Sequence, residues 1–377
     1  MLRGGHRRAR RPRRPLTITP PAAEAASVTA KLSTLDRYLP AWIGLAMAGG
    51  LLLGRLIPDL NDTLDRIKID TVSLPIAIGL LAMMYPVLAK VRYTRLGDEL
   101  ADRPTLVLSL VLNWLVGPLL MFTLAWVFLA GLPELRTGLI IVGLARCIAM
   151  VLIWNDLACG SRELAAVLVA VNSLFQIVMY SVLGWFYLTA LPDWLGLDTA
   201  DLDVSMGEIA KSVLIFLGIP LLAGLLTRTI GEARKGTEWY ENTFLPRIGP
   251  IALYGLLFTI VVLFALQGEQ ITDNPLDVAR VAVPLLIYFA LMWGGAFLAA
   301  YRLGLPYERN ASVAFTAAGN NFELAIAVAI AVFGVTSGQA LAGTIGPLIE
   351  VPALVGLVYV SLWAKRRFYP AVADEGV

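Results

Sequence analysis

From Pro40 onward the chain is a succession of apolar runs separated by short polar stretches, and each run is long enough to cross a hydrocarbon core of about 30 Å. The pattern predicts ten spans, at 40–58, 71–90, 104–130, 137–158, 163–190, 208–230, 248–267, 278–301, 310–334 and 338–364. The runs are continuous and do not alternate with polar residues, which predicts helices and argues against a barrel. Pro75, Pro86, Pro118, Pro220, Pro250, Pro284, Pro347 and Pro352 fall inside them. Spanning helices accommodate proline where neighbouring groups satisfy the freed backbone. Residues 1–34 break the pattern. They hold arginines and prolines but no apolar run, so a disordered basic cytoplasmic tail is expected there and neither a signal peptide nor a span.

Composition agrees with the pattern. Of 377 residues, 58% are hydrophobic and 15% charged, against roughly 25% charged in an average soluble domain, which excludes a soluble enzyme. Two cysteines, Cys147 and Cys159, are too few for a disulfide framework or a zinc site, and the single histidine, His6, lies in the basic tail. Histidine-based metal and triad chemistry therefore has no residues, and no cofactor is expected. The tail reads as a solvated or headgroup-touching arm, since nothing else in the chain supports binding to nucleic acid.

The net charge of +2 says less than its distribution. With the N-terminus inside, the inner segments carry 23 of the 30 Lys and Arg and the outer ones six, while Arg146 lies within a span. The outer loops are acidic instead: Asp59, Asp62, Asp65 and Asp70 in the first, and Asp193, Asp198, Asp201, Asp203 and Glu208 in the third. A multi-pass protein of the cell membrane with both termini cytoplasmic is expected.

The spans also repeat. Gly50-Leu-Leu-Leu-Gly-Arg-Leu-Ile57 resembles Ala223-Gly-Leu-Leu-Thr-Arg-Thr-Ile230, Pro75-Ile-Ala resembles Pro250-Ile-Ala, and Gly79-Leu-Leu resembles Gly255-Leu-Leu, at offsets of 173 to 176. Two halves of five spans each are odd-numbered and must lie in opposite orientations. The fold expected is an all-α polytopic membrane protein. Its ten transmembrane helices form two inverted five-helix repeats, 35–205 and 206–367, with discontinuous crossing helices and a cytoplasmic tail at 368–377.

Carried forward to the fourth helix of each half, the offset of 176 sets Gly143-Leu-Ala-Arg-Cys147 against Gly319-Asn-Asn-Phe-Glu323, so Cys147 maps onto Glu323 near the middle of the bilayer. Inverted-repeat transporters bind their substrate there, where paired helices are interrupted. Ala317-Ala-Gly-Asn-Asn321 is the expected interruption, because Gly319 is permissive and Asn320 and Asn321 compete for backbone hydrogen bonds. A carboxylate at that depth costs roughly 2.5 to 3.5 kcal/mol, so Glu323 requires a partner, water or a proton. Glu350, in Gly346-Pro-Leu-Ile-Glu-Val-Pro352, is a second membrane acid, either coupling a proton or satisfying the backbone of a broken helix. Arg146 is either the counter-ion of one of these acids or a residue reaching into a cavity.

A lone membrane cysteine is ordinarily a small buried apolar residue. Beside Arg146 and a half-helix N-terminus, however, Cys147 is biased to thiolate, the form that binds soft metals and metalloids. Cys159 reads as incidental, Asn155 and Asp156 as the cap of the fourth helix, and Asn113, Asn172, Gln176 and Gln267 as a polar path or as links between helices. The candidate substrate-binding set is Cys147, Glu323, Arg146, Asn320 and Asn321. Glu323 and Glu350 are the candidates for proton coupling, since no dedicated sodium cage is evident.

These residues resemble those of the arsenical-resistance ACR3 permeases, within the bile acid, arsenite and riboflavin transporter superfamily. The resemblance covers residues 35–367. It is carried by Gly143-Leu-Ala-Arg-Cys-Ile-Ala-Met-Val-Leu-Ile-Trp-Asn155, Phe315-Thr-Ala-Ala-Gly-Asn-Asn-Phe-Glu-Leu-Ala-Ile-Ala327 and Gly346-Pro-Leu-Ile-Glu-Val-Pro352. It implies ten helices in a panel and a crossed-helix core, export of arsenite and in some members antimonite, and Cys147, as the arsenite ligand, and Glu323 as the essential pair. The arginine-rich tail lies outside the family pattern. Three other readings compete: a sodium-coupled importer of organic anions, which has no use for Cys147; an intramembrane enzyme, for which no hydrolase motif is present; and a passive channel, which carries no uphill flux.

Overall fold

The computed structural model describes residues 38–57, 60, 68–69, 72–91, 102–197 and 205–370. The basic tail, most of the first acidic loop, Asp198, Asp201 and Asp203, and the chain from 371 lie outside the described residues. Among the described residues the fold is helical apart from one short antiparallel hairpin, Lys68–Ile69 with Val72–Ser73. The helices are α1 (Leu39–Leu56), α2 (Leu74–Ala89), α3 (Arg103–Phe128), α4 (Pro133–Leu144), α5 (Met150–Leu157), α6 (Arg162–Leu195) and α7 (Met206–Lys235). They continue as α8 (Thr237–Leu266), α9 (Gly268–Asp273), α10 (Pro275–Arg302), α11 (Tyr307–Ala318), α12 (Phe322–Phe333) and α13 (Gly338–Phe368).

Six of these, α3, α6, α7, α8, α10 and α13, are long and apolar enough to cross a membrane, and shorter apolar stretches lie in α1, α2 and α12. Large apolar side chains such as Leu45, Val107, Val178, Leu222, Tyr254, Leu291 and Trp363 point outward from these helices. Such a belt is unstable against water and natural against lipid.

Four of the long helices contain one π-helical turn each, at Leu112–Val116, Phe186–Ala190, Leu214–Gly218 and Tyr240–Phe244. In every case a proline stands two residues further on: Pro118, Pro192, Pro220 and Pro246. Proline has no N–H to donate and its ring crowds the preceding turn, so the helix widens by one residue ahead of it and continues.

Helices α1, α2, α7 and α8 pack on one another through small residues. Gly50 and Gly54 of α1 meet the backbone of α8 at Val261 and Ala265, Gly255 meets Gly79 and Met83 of α2, and Gly224 meets Leu88 and Ala89. With no hydrophobic drive inside lipid, such close backbone approach is what holds helices together. The remaining helices surround α4, α5, α11 and α12, with α10 on α11, α4 on α13, α12 on α13 and α3 on α4.

Two predicted spans are not single helices. The run 310–334 breaks between Ala318 and Phe322, at the Gly319-Asn-Asn stretch expected to interrupt it. The run 137–158, read as one span, is also broken, between Leu144 and Met150, although Ala145-Arg-Cys-Ile-Ala149 contains neither glycine nor proline. The cause is tertiary, as the two breaks meet.

Candidate functional site

The breaks pair as a minimal antiparallel bridge centred on Arg146 and Asn320. Cys147 N–H donates to the Gly319 carbonyl and Asn321 N–H to the Ala145 carbonyl, each at 3.2 Å. Backbone freed by unwinding must find partners inside a membrane, and here each break supplies the other. Close approach is possible because position 319 lacks a side chain: a Cβ there would stand 2.9 Å from that of Cys147.

Four half-helix ends converge on the bridge. Asn320 caps the C-terminal end of α4, its amide donating to the carbonyls of Val142 at 2.9 Å and Ala145 at 3.3 Å. Asn321 caps the N-terminal end of α12, its side-chain oxygen accepting from Leu324 N–H at 3.0 Å. Cys147 serves α5 in the same manner, its Sγ accepting from Val151 N–H at 3.3 Å. Helix N-termini carry partial positive charge, and this end of α5 is aimed at the sulfur.

Glu323 occupies the first turn of α12, partly exposed, with its carboxylate folded back on its own N–H. Glu350 of α13 is buried and accepts the Asn320 N–H at 3.3 Å, so it does satisfy backbone of the broken helix. Both carboxylates act electrostatically on Cys147. The crossing is otherwise closed, with Arg146, Cys147, Asn320, Asn321 and Glu350 each no more than 2% exposed.

Arg146 is not the counter-ion of either acid. Its guanidinium turns the other way, donating to the Tyr288 hydroxyl of α10 at 2.8 Å and to the Gly143 carbonyl, while its backbone N–H donates to Gln176 Oε1 at 2.9 Å. The carbonyl end of α4 offers the cation a partly negative environment in place of a carboxylate. Gly117 of α3 completes the socket, since a Cβ there would lie 2.6 Å from the guanidinium.

The sequence profile of the Sodium Bile acid symporter family matches residues 77–274. An arsenical-resistance protein Acr3 of Corynebacterium glutamicum is 60% identical over 341 residues, covering 90% of this chain and 92% of the relative. The chain belongs to the Acr3 family. An arsenical-resistance protein Acr3 of Alkaliphilus metalliredigens is 33% identical over 350 residues, covering 90% and 95% of the two chains. An uncharacterized transporter of Synechocystis sp. is 37% identical over 371 residues, with 93% of each covered. With its several long apolar helices, the chain is a multi-pass membrane protein.

In this Acr3-family chain the structure brings together Arg146, Cys147, Asn320 and Asn321 from the sequence-derived set, with Glu350 on the Asn320 amide and Glu323 two residues beyond Asn321. The polar residues Asn172, Gln176 and Gln267 link elements: Asn172 to Trp114, Gln176 to Arg146 and Gln267 to the Val335 carbonyl. Asn113 bonds within its own helix, to the Ser109 carbonyl. Asn155 accepts from Ser312 of α11, and Asp156 forms an exposed ion pair with Arg162 at 2.8 Å. Sequence reasoning missed Tyr288 and Gly117. Neither stands out in an apolar run, and Tyr288 lies 142 positions from the arginine it holds.

Proposed function

We propose that this chain exports arsenite from the cytoplasm in exchange for protons and thereby confers arsenic resistance. The observation that carries the reading is the crossing: a thiol at a half-helix N-terminus, with two membrane carboxylates in electrostatic range. The relatives named for arsenical resistance supply the substrate class.

Trivalent arsenic is thiophilic, and arsenous acid is small and neutral. The Cys147 thiol displaces one hydroxyl, so that an S–As bond forms, an As–O bond breaks and water leaves. One sulfur with oxygen contacts from neighbouring groups holds the substrate reversibly, where three sulfurs would retain it. Hydrolysis reverses the step on the far side. Loading and protonation of Glu323 are mutually exclusive, so substrate and proton travel in opposite directions. Glu350, already occupied by the Asn320 amide, links the charge of the site to the geometry of the break. The paired breaks support two inverted five-helix repeats totalling ten spans with both termini cytoplasmic, α4 and α5 forming one span and α11 and α12 its inverted counterpart.

Exporting a neutral molecule against one entering proton moves one charge, worth about 2.3 kcal/mol per 100 mV or roughly a fifty-fold gradient. Everted vesicles therefore accumulate arsenite against its gradient when respiring, and a protonophore collapses the accumulation. Cys147→Ala and Glu323→Gln both abolish it. Downhill-only flux, a sodium requirement, or wild-type accumulation by Glu323→Gln would overturn the reading.

A further inference from the structure

The crossing holds a full positive charge that no anion answers. Arg146 is 0% exposed and its guanidinium donates only to neutral oxygens, those of Tyr288 and Gly143. Its Nε has no hydrogen-bond partner, and among the described residues no carboxylate lies within ion-pair distance of it. The placement is enforced from both sides. The backbone is pinned to Gln176 and bridged to Asn320, while Tyr288 and the missing Cβ of Gly117 provide the socket on the other side.

One residue further on stands Cys147, with Glu323 and Glu350 in electrostatic range. A soft sulfur is a ligand for thiophilic divalent cations such as cadmium as well as for trivalent arsenic. An uncompensated guanidinium acts weakly on neutral arsenous acid and strongly on a dication. We infer that Arg146, held away from both acids by Tyr288 and Gly117, is a specificity-determining charge that excludes thiophilic divalent cations from Cys147 and admits neutral metalloid hydroxides. This rests on the reading of Cys147 as the metalloid ligand. A unit charge opposing a dication over on the order of 8 Å, at an effective dielectric of about 20, weakens cation binding roughly a thousand-fold.

The test uses the purified full chain carrying Cys159→Ser, titrated with cadmium and read by the ultraviolet thiolate-to-cadmium charge-transfer band. With Arg146 present no band develops at cadmium concentrations that saturate a free thiol. Arg146→Gln binds roughly a hundred- to a thousand-fold tighter than Arg146→Lys, which keeps the charge. Arg146→Met is the second uncharged variant should the glutamine protein fail to purify as a monodisperse species. A band in the Arg146 protein at free-thiol concentrations overturns the inference, and that arm needs no variant at position 146. Equal cadmium affinity of the lysine and uncharged variants overturns it as well. Slowing of Cys147 alkylation by arsenite, measured on the same protein, tests the underlying reading separately: the cadmium arms fail with the charge filter, the arsenite arm with Cys147 as ligand.

Discussion

Replacing Gly319 by alanine isolates the contribution of the bridge. Gly319 has φ −71° and ψ 141°, ordinary extended backbone, so alanine meets no conformational penalty there. The cost is one of space. The new Cβ stands 2.9 Å from the Cβ of Cys147, 3.4 Å from the Phe315 carbonyl oxygen and 3.6 Å from Sγ. Overpacking of this kind costs about 1–3 kcal/mol. Separating the strands also weakens two hydrogen bonds, Cys147 N–H to Gly319 and Asn321 N–H to Ala145, each worth about 0.5–1.5 kcal/mol net. The sum is a loss of about 2–6 kcal/mol, concentrated where Cys147 sits. Gly295→Ala is the matched control, since it lies within α10 with no atom within 4 Å of the added carbon and gains about 1 kcal/mol of helix propensity. Denaturation of the detergent-purified proteins and arsenite efflux from cells provide the readouts. Gly319→Ala is expected to be less stable than wild type and inactive in export, with Gly295→Ala at least as stable and active. Equal stability of the two alanine proteins would refute the argument that the crossing is limited by backbone contact.

The remaining predictions concern other parts of the molecule. Arg228 bonds Glu232 at 2.6 Å, Glu241 at 2.8 Å and the Lys90 carbonyl at 3.2 Å. Arg228→Ala leaves two partly exposed acids facing each other and is expected to lower stability by about 1–3 kcal/mol in denaturant. Cys159 has φ +56°, so Cys159→Gly should be neutral to about 1 kcal/mol stabilising, Cys159→Val destabilising, and the glycine protein should export normally. A reporter fused after Val377 should read cytoplasmic. An external reading, with the N-terminus inside, would remove one of the ten predicted spans.

Much of the helical pattern was legible because lipid demands long apolar runs. The bounds of α3, α7 and α10 fall within a few residues of the predicted ones. The break at Gly319-Asn-Asn was legible for a local reason, as the residues themselves oppose helix. Its partner at 145–149 was suggested only by the repeat offset that sets Cys147 beside a half-helix N-terminus, because nothing in Ala-Arg-Cys-Ile-Ala itself opposes helix. That stretch unwinds only when Asn320 is there to cap Val142 and Gly319 to accept from Cys147. Cys147 and Glu323, which a repeat offset aligns, were singled out from the sequence, and the structure places the first in the crossing and the second in the first turn of α12. Arg146 shows the limit of such reasoning: charge complementarity argued for a carboxylate partner, and the structure gives it a tyrosine and a carbonyl. Sequence reports which charges are inside a membrane. It does not report which way a long side chain turns when two elements compete for it.

The two breaks also bear on how such a site moves. Each ends one half-helix and begins another, and each is satisfied largely by the other, so neither can rewind or slide without stranding backbone groups in lipid at several kcal/mol each. The crossing should therefore move as one body. The side chains that face it from outside are the replaceable contacts: Glu350 on the Asn320 amide, Gln176 on the Arg146 amide and Tyr288 on its guanidinium, contributed by α13, α6 and α10. Of these, the Glu350 contact responds to charge, because a neutral carboxyl accepts more weakly from an amide than a carboxylate does. On the proposed exchange, protonation of Glu350 would loosen the hold of α13 on the break without disturbing the bridge itself. Glu350→Gln, fixed in the weaker state, should leave the bridge intact and cost less stability than Gly319→Ala. If the glutamine protein is the less stable of the two, then Glu350 holds the crossing together and cannot serve as its release.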